Sequence, residues 1–485
     1  MFTIEYGYHR DELFYMTISE NLNFNNLSML PLTPTVLAII RWLLGDSLKA
    51  LHFLPAFCGA LIVLLTGFIT RELGGKKFAL TLATIAVIIP PGYLGMDSLF
   101  TYDMLDKLFW VIIIYILVLI IKKSEPRFWL LFGIVMGLGL LNKISILFLG
   151  FAVFVALCLA PERKYFTNKW LWIGSLFAIF CLFPFIYWQY TQGWSILSYG
   201  KYYSASKTYP VSFLEFTWFQ ILGMHPLTLP IWLSGLWFTL FSPRGKEYRL
   251  LAWIYLTLFV LFFFMKAKFY FLTPVYPFLI ASGAVVVEGF IEKRNWEKLK
   301  GVILSFMVIG GIIIAHMSMP ILPVDTFIKI SAILSKDAGV KTERHEIGEL
   351  PQHFADRFGW EEMAATIANV YSRLPDEEKS KTCILTGNYG EAGAIRFFGK
   401  KYGLPEPISG HGWHYYQGTK NYTGEIVISI GIPIKYLQSH FDEIIQSDIF
   451  QCQYCMPYEN NQPVYVCRKP KRSLKEILED LKHFD

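Results

Sequence analysis

The chain has 485 residues, 54% of them hydrophobic and 17% charged, with a formal net charge of +6. Soluble globular domains carry about 25% charged residues, so an ordinary soluble protein is excluded. The basic residues sit in short clusters between apolar runs, which is a topology signal and excludes a nucleic-acid-binding face.

Taken in chain order, the sequence opens on a polar stretch, MFTIEYGYHRDELFYM, without the charged, apolar and cleavable pattern of a signal peptide. Residues 33–44 read as an interfacial amphipathic helix, opened by Pro31 and Pro34 and ended by Gly45 and Asp46. A membrane span needs about 20 apolar residues, and ten candidates follow: 48–70, 78–95, 106–121, 127–142, 144–160, 170–188, 213–240, 249–265, 269–290 and 301–319. The apolar series ends near Pro323. This divides the chain into a polytopic α-helical membrane domain, residues 1–323, and a soluble α/β domain, residues 324–485. In the second region Trp360–Leu374 reads as a helix. Cys383–Thr386 and Ile426–Ile430 read as buried strands, and Gln462–Arg468 as an exposed alternating strand.

Lys and Arg in short loops set orientation. One alternate set of loops, which includes Arg71, Lys76, Lys122, Arg163, Arg244 and Lys293, holds sixteen of them, against seven in the other. The richer set is therefore cytoplasmic. The N-terminal segment, the loops near 96–106 and 189–212, and the soluble domain face the opposite side.

The residues able to carry chemistry are charges on that outer side, close to the membrane. They are His9-Arg10-Asp11-Glu12, the carboxylates Asp97, Asp103 and Asp106, and the lysines Lys143, Lys266 and Lys268. A charge entering a span is costly and marks function, although a lysine at a helix end can equally snorkel to the interface. Carboxylates beside lysines at membrane depth suit a lipid phosphate and a hydroxyl nucleophile. Lysine binds phosphate as a point charge, a carboxylate accepts the hydroxyl proton, and two carboxylates could share a divalent cation. The same set would serve a transporter or flippase of lipid-linked sugars, or a non-catalytic envelope-assembly subunit. No internal repeat of the transporter kind is present in the sequence.

GYHRDELFYM, then PLTP, DKLFW, GLGLLNKISILFLGF, WQYTQGW, HPLTLPIWLSGLW and KFYFLTPVYP follow one another in an order that is similar to a known family. The resemblance continues through TGNYGEAGAIRFFG, ISGHGWHYYQG and CQYCMPYENNQPVYVCR. The chain resembles the bacterial polyprenyl-phosphate-dependent glycosyltransferases of the C-type membrane superfamily, relatives of the protein O-mannosyltransferases and the lipid A aminoarabinose transferases. The resemblance implies an inner-membrane enzyme with a periplasmic or extracellular C-terminal domain. It would move a sugar from a polyprenyl phosphate to a glycan, lipid or protein acceptor, with inversion. It implies Asp11, with Glu12 beside it, as the base. Asp106 would position donor or metal, Lys143 and Lys268 would bind the donor phosphate, and Asp103 and Arg10 are further candidates for donor contact. It allows a divalent cation held by Asp11 and Asp106, or none.

The chain departs from the family's pattern in several places. Asn26-Leu27-Ser28-Met29-Leu30 stands where relatives carry an aspartate and paired prolines before PLTP. Asp103 and His225 stand where asparagine is common, and relatives have a transmembrane helix ahead of the first outer loop. In the soluble region Cys452, Cys455 and Cys467 could bind zinc, although the spacing offers no fourth ligand, or form a disulfide, the use favoured outside the cytoplasm. The glycines of TGNYGEAGA serve either a ligand or a tight turn, and His411, Trp413, His414 and Tyr415 either a sugar platform or a polar loop.

Overall fold

The computed structural model describes residues 5–22, 28–159, 161–206, 211–334, 346 and 348–483; Asn26 and Leu27 lie outside the described residues. The chain divides into two compact units. One comprises residues 49–187 and 208–321, and the other residues 1–48, 188–207 and 322–485.

The first unit is helical. Among the described residues, six helices are long and apolar enough to cross a membrane: Leu48–Glu72, Tyr102–Lys123, Lys169–Thr191, Lys246–Phe264, Phe269–Arg294 and Glu297–Ser318. Two further pairs pass the same test but are bent at a break, Lys77–Ile88 with Pro91–Asp97 by 66° and Phe213–Gly223 with Pro226–Phe241 by 94°. Phe128–Leu140 and Ile146–Leu159 are apolar but have only 13 and 14 residues, about 20 Å of helix against a hydrocarbon core of about 30 Å. Each of the ten apolar runs of the sequence therefore falls on a helix or a bent pair, and six to eight of them meet the length of a span.

Burial orders these helices. Tyr102–Lys123 and Phe269–Arg294 are 72% buried over their apolar windows, whereas Glu297–Ser318 is 17% buried and turns Phe306 and Ile312 outward. Apolar side chains facing outward have no reason to be there in water; they fit hydrocarbon. Small residues let the inner helices close up. A Cβ on Gly283 would lie 1.8 Å from the Ile231 carbonyl oxygen, the close backbone approach that small residues give to membrane helices. At the 94° break His225 takes a φ of 68°, and its Nδ1 accepts the Leu227 amide at 3.2 Å. The imidazole does the local capping that an asparagine does.

The second unit is a layered α/β domain. Its sheet has strands β1 (Thr382–Thr386), β2 (Pro407–Ser409), β3 (Ile426–Ile430), β4 (Phe441–Phe450) and β5 (Gln462–Pro470), in the order β2-β1-β3-β5-β4. The first three are parallel, with Ile384 beside Ile428, and β5 runs antiparallel to both β3 and β4. The sequence marked β1 and β3 correctly as buried. Its reading of Gln462–Arg468 as an exposed strand is corrected: β5 is internal, paired on its edges by β3 and β4, and Val464 to Cys467 are buried because Val464 and Val466 enter one core layer and Tyr465 and Cys467 the other. Strand β4 escaped the sequence reading. It is the edge, with Ile445 and Ile449 exposed, and Asp442, Glu443 and Asp448 guard it as charges guard open edges.

The helices of this unit include α1 (Arg10–Glu20), α2 (Leu32–Leu44), α3 (Trp360–Ser372) and α4 (Tyr389–Phe398). Helix α2 leaves Ile39, Trp42, Leu43 and Leu44 exposed along its last two turns, as an interfacial helix requires. Helix α1 is the less expected member. Its Leu13 is buried in the core layer formed by Trp360, Met363, Ile395, Ile428 and Val466. Burying that side chain is worth about 2 kcal/mol. The N-terminal segment is thus an integral part of the layered domain.

Candidate active site

In the helical unit the charges between residues 96 and 145 meet the aromatic side chains of Phe148, Phe262, Tyr270 and Phe271 in one pocket. Thr101 caps the helix Tyr102–Lys123 by accepting the Asp103 amide at 3.3 Å. From there Asp103, Asp106, Lys107 and Trp110 recur at the three- and four-residue spacing that puts side chains on one helix face. Lys143 Nζ donates to Asp103 Oδ1 at 2.5 Å and stands 3.9 Å from Asp106 Oδ2. Asp106 is buried, and its Oδ1 accepts from Ser145 Oγ at 2.6 Å and Trp110 Nε1 at 3.2 Å. The Lys143 ammonium also faces the rings of Tyr102 and Phe271, at 4.6 and 4.8 Å from their centroids. Two carboxylates and two π faces therefore fix its position. Asp103, Asp106, Lys107, Lys143 and Ser145 line the pocket with Phe148, Phe262, Tyr270, Phe271 and Pro274.

Lys107 was not singled out in the sequence. It is 1% exposed, donates to Asp97 Oδ1 at 2.6 Å and lies 4.6 Å from the Tyr93 ring centroid. The signal for it was its place one residue after Asp106, on the face that turns inward. Lys268 stands outside this wall, at the start of the turn Phe269–Val275, with its ammonium 6.0 Å from the Tyr270 ring centroid.

In the layered unit Arg10, Asp11 and Glu12 form the first turn of α1. His9 is the N-cap. Its Nδ1 accepts the Asp11 amide at 3.2 Å, and Glu12 Oε2 accepts the His9 amide at 3.0 Å, which closes a capping box worth about 1 kcal/mol. Glu12 is fully buried by this arrangement. Arg10 donates to the Tyr458 hydroxyl at 2.6 Å, and its guanidinium lies 4.6 Å from the Tyr389 ring centroid. The Tyr389 hydroxyl donates to Asp11 Oδ1 at 2.7 Å. Asp11 keeps 35% of its side chain exposed, whereas Asp356, Glu391 and Glu459 nearby are almost wholly buried. Burial pushes the carboxyls of Glu391 and Glu459 up from the usual range, and their mutual repulsion adds to the shift on Glu391.

The other residues marked in the sequence find structural duties. Asn388 of TGNYGEAGA caps α4 by accepting the Gly390 and Glu391 amides. A Cβ on Gly393 would meet the Leu13 backbone at 3.0 Å, so this glycine admits α1 rather than a ligand. His411, Trp413 and His414 are buried and offer no open platform. Cys452 and Cys455 neighbour each other, the Cys455 thiol donating to the Cys452 carbonyl at 3.4 Å. Cys467 lies in the core layer on the opposite face of the sheet, with Cys383 and Val427. Among the described residues no three or more His, Cys, Asp or Glu side chains gather as a metal site. Asp103 is engaged by Lys143, and Asp11 and Asp106 belong to different units.

Residues 29–188 match the family described as dolichyl-phosphate-mannose-protein mannosyltransferase. No curated protein matches the chain by sequence. Among solved structures, ArnT from Cupriavidus metallidurans in the apo state is 12% identical, covers 99% of this chain and 95% of its own, and superimposes with a TM-score of 0.59. ArnT bound to undecaprenyl phosphate is 13% identical, covers 94% and 92%, and gives 0.58. At that identity the likeness is one of fold: the chain has the fold of ArnT, and its apolar helices make it a multi-pass membrane protein.

Proposed function

We propose that the chain transfers a glycosyl group from a polyprenyl-phosphate-linked sugar to an acceptor outside the cytoplasm, a glycan, a lipid or a protein. The observation that carries this reading is the pocket in which Lys143 is held between Asp103 and Asp106 under the rings of Tyr102 and Phe271. It offers a cation for a phosphate and an apolar wall for a lipid, in a fold whose relative ArnT binds undecaprenyl phosphate. The basic asymmetry of the loops supports an orientation with the layered domain on the outer face, and the resemblance to bacterial glycosyltransferases supports an inner-membrane location.

The reaction needs little from the enzyme as an acid, because the leaving group is already a phosphate. The acceptor hydroxyl attacks the anomeric carbon, and the bond from that carbon to the phosphate oxygen breaks. Polyprenyl phosphate leaves with the electron pair. Asp11 takes the hydroxyl proton, a contribution of about 10²- to 10⁴-fold for a placed general base. Lys143 and Lys268 hold the phosphate and stabilise the charge it gains as the bond breaks. Asp106 sets the position of Lys143. Attack opposite the leaving group inverts the anomeric centre.

The test is transfer in reconstituted membranes, with undecaprenyl phosphates carrying mannose, glucose or aminoarabinose and an extract of bacterial envelope as acceptor. Labelled product that disappears with Lys143→Ala supports the reading. Movement of intact donor between leaflets without product overturns it in favour of a flippase.

A further inference from the structure

The first turn of α1 is fixed by the layered domain in a specific way. Strand β1 is the middle of the three parallel strands, with β2 on one side and β3 on the other. In open sheets of this kind, the chain ends leaving such a middle strand diverge and form the crevice where ligands are met. Tyr389 stands there, directly after the N-cap Asn388 that follows β1. Three neighbours hold its ring. The Arg10 guanidinium lies 4.6 Å from its centroid, the Phe14 ring 5.0 Å and the His411 imidazole 4.8 Å. The Tyr389 amide in turn donates to His411 Nδ1 at 3.3 Å.

A ring held on three sides cannot swing, so its hydroxyl is a fixed point. That hydroxyl meets Asp11 Oδ1 at 2.7 Å. Burial pushes the Tyr389 phenol well above its ordinary range, which keeps it a hydrogen-bond donor. Asp11 is the solvent-reaching end of an otherwise buried cluster of carboxyls.

We propose that Tyr389 is a positioning residue for Asp11: its hydroxyl holds Oδ1 and so aims Oδ2 at the acceptor hydroxyl. The inference rests on the reading of Asp11 as the base. Tyr389 does not touch the reacting atoms. It removes the rotamer freedom that a short carboxylate on a helix would otherwise have. The arrangement also explains the linear distance involved: the base is supplied by the start of the chain and its orienting group by α4, 378 residues later.

The experiment compares the full chain, Tyr389→Phe, Asp11→Asn and the double variant. It uses reconstituted membranes with the same undecaprenyl-phospho-sugars and envelope extract. Tyr389→Phe keeps the ring and its three neighbours and removes only the donor. The expected result is a fall in kcat of about 10- to 100-fold, the range for losing a hydrogen bond to a charged group. The donor KM should stay within about twofold and the melting temperature should not change. In the Asp11→Asn background Tyr389→Phe should cost nothing more, because the group it orients is gone. Full turnover of Tyr389→Phe beside an inactive Asp11→Asn overturns this inference and leaves the proposed function standing. So does a loss spread over KM and melting temperature, which marks a structural role. Full turnover of Asp11→Asn overturns the proposed function itself, and the inference with it.

Discussion

Lys143 donates to Asp103 at 2.5 Å, across forty residues of sequence, and the aspartate thereby occupies the ammonium that a donor phosphate would take. A phosphodiester entering the pocket must displace Asp103 or share Lys143 with it, and the two negative charges repel. Asp103→Asn removes one charge and keeps the shape. The expected outcome is tighter donor binding, with KM for an undecaprenyl-phospho-sugar lowered about three- to tenfold. Lys143→Ala should raise it more than tenfold. Steady-state kinetics over donor concentration checks both.

Asp97 and Lys107 form an ion pair whose ammonium is 1% exposed. Removing one partner of such a pair leaves a buried charge uncompensated, which costs about 3–5 kcal/mol. Asp97→Asn is expected to lower the melting temperature of the detergent-solubilised protein. The double variant Asp97→Leu with Lys107→Met should recover most of the loss, because no charge is then left buried. Melting curves of the three proteins decide it.

His414 is buried on the turn Gly412–Tyr415, and burial, with Lys420 and Arg396 nearby, lowers its pKa from 6.5 to about 3. A folded pKa below the unfolded one means that the unfolded chain binds the proton more readily. The stability that the neutral imidazole allows is therefore full above pH 6.5 and is lost as pH falls toward 3. Between pH 6.5 and 5 the loss is about 2 kcal/mol. His414→Phe is expected to flatten that part of the stability curve. Unfolding followed by near-ultraviolet circular dichroism across this range is the check.

The sequence carried much of the fold, and the reasons are local. Long apolar runs and clustered loop cations are sufficient to find membrane helices, so each of the ten runs falls on a helix or a bent pair. Strands β1 and β3 were visible because buried parallel strands are continuous apolar runs. Strand β4, Phe441–Phe450, was hidden because an edge strand mixes charge with apolar residues on both faces. Within the site, Asp103, Asp106 and Lys143 were marked by the cost of charge at membrane depth, and they come together in one pocket. Lys107 was counted only among the loop cations that set orientation, and nothing in the spacing showed that its partner is Asp97. The union of α1 with the layered domain was not legible at all. It depends on Gly393 admitting Leu13 and on Tyr389 meeting Asp11, and neither contact leaves a periodic trace.

The central claim is that Asp11 is the base of a glycosyl transfer. The direct measurement is the initial rate of sugar transfer by Asp11→Asn in reconstituted membranes, with a melting curve of the same preparation. The account predicts a kcat about 10²- to 10⁴-fold lower and an unchanged melting temperature, because the His9 and Glu12 cap does not use the Asp11 side chain. A variant that folds normally and turns over at the parent rate would contradict it.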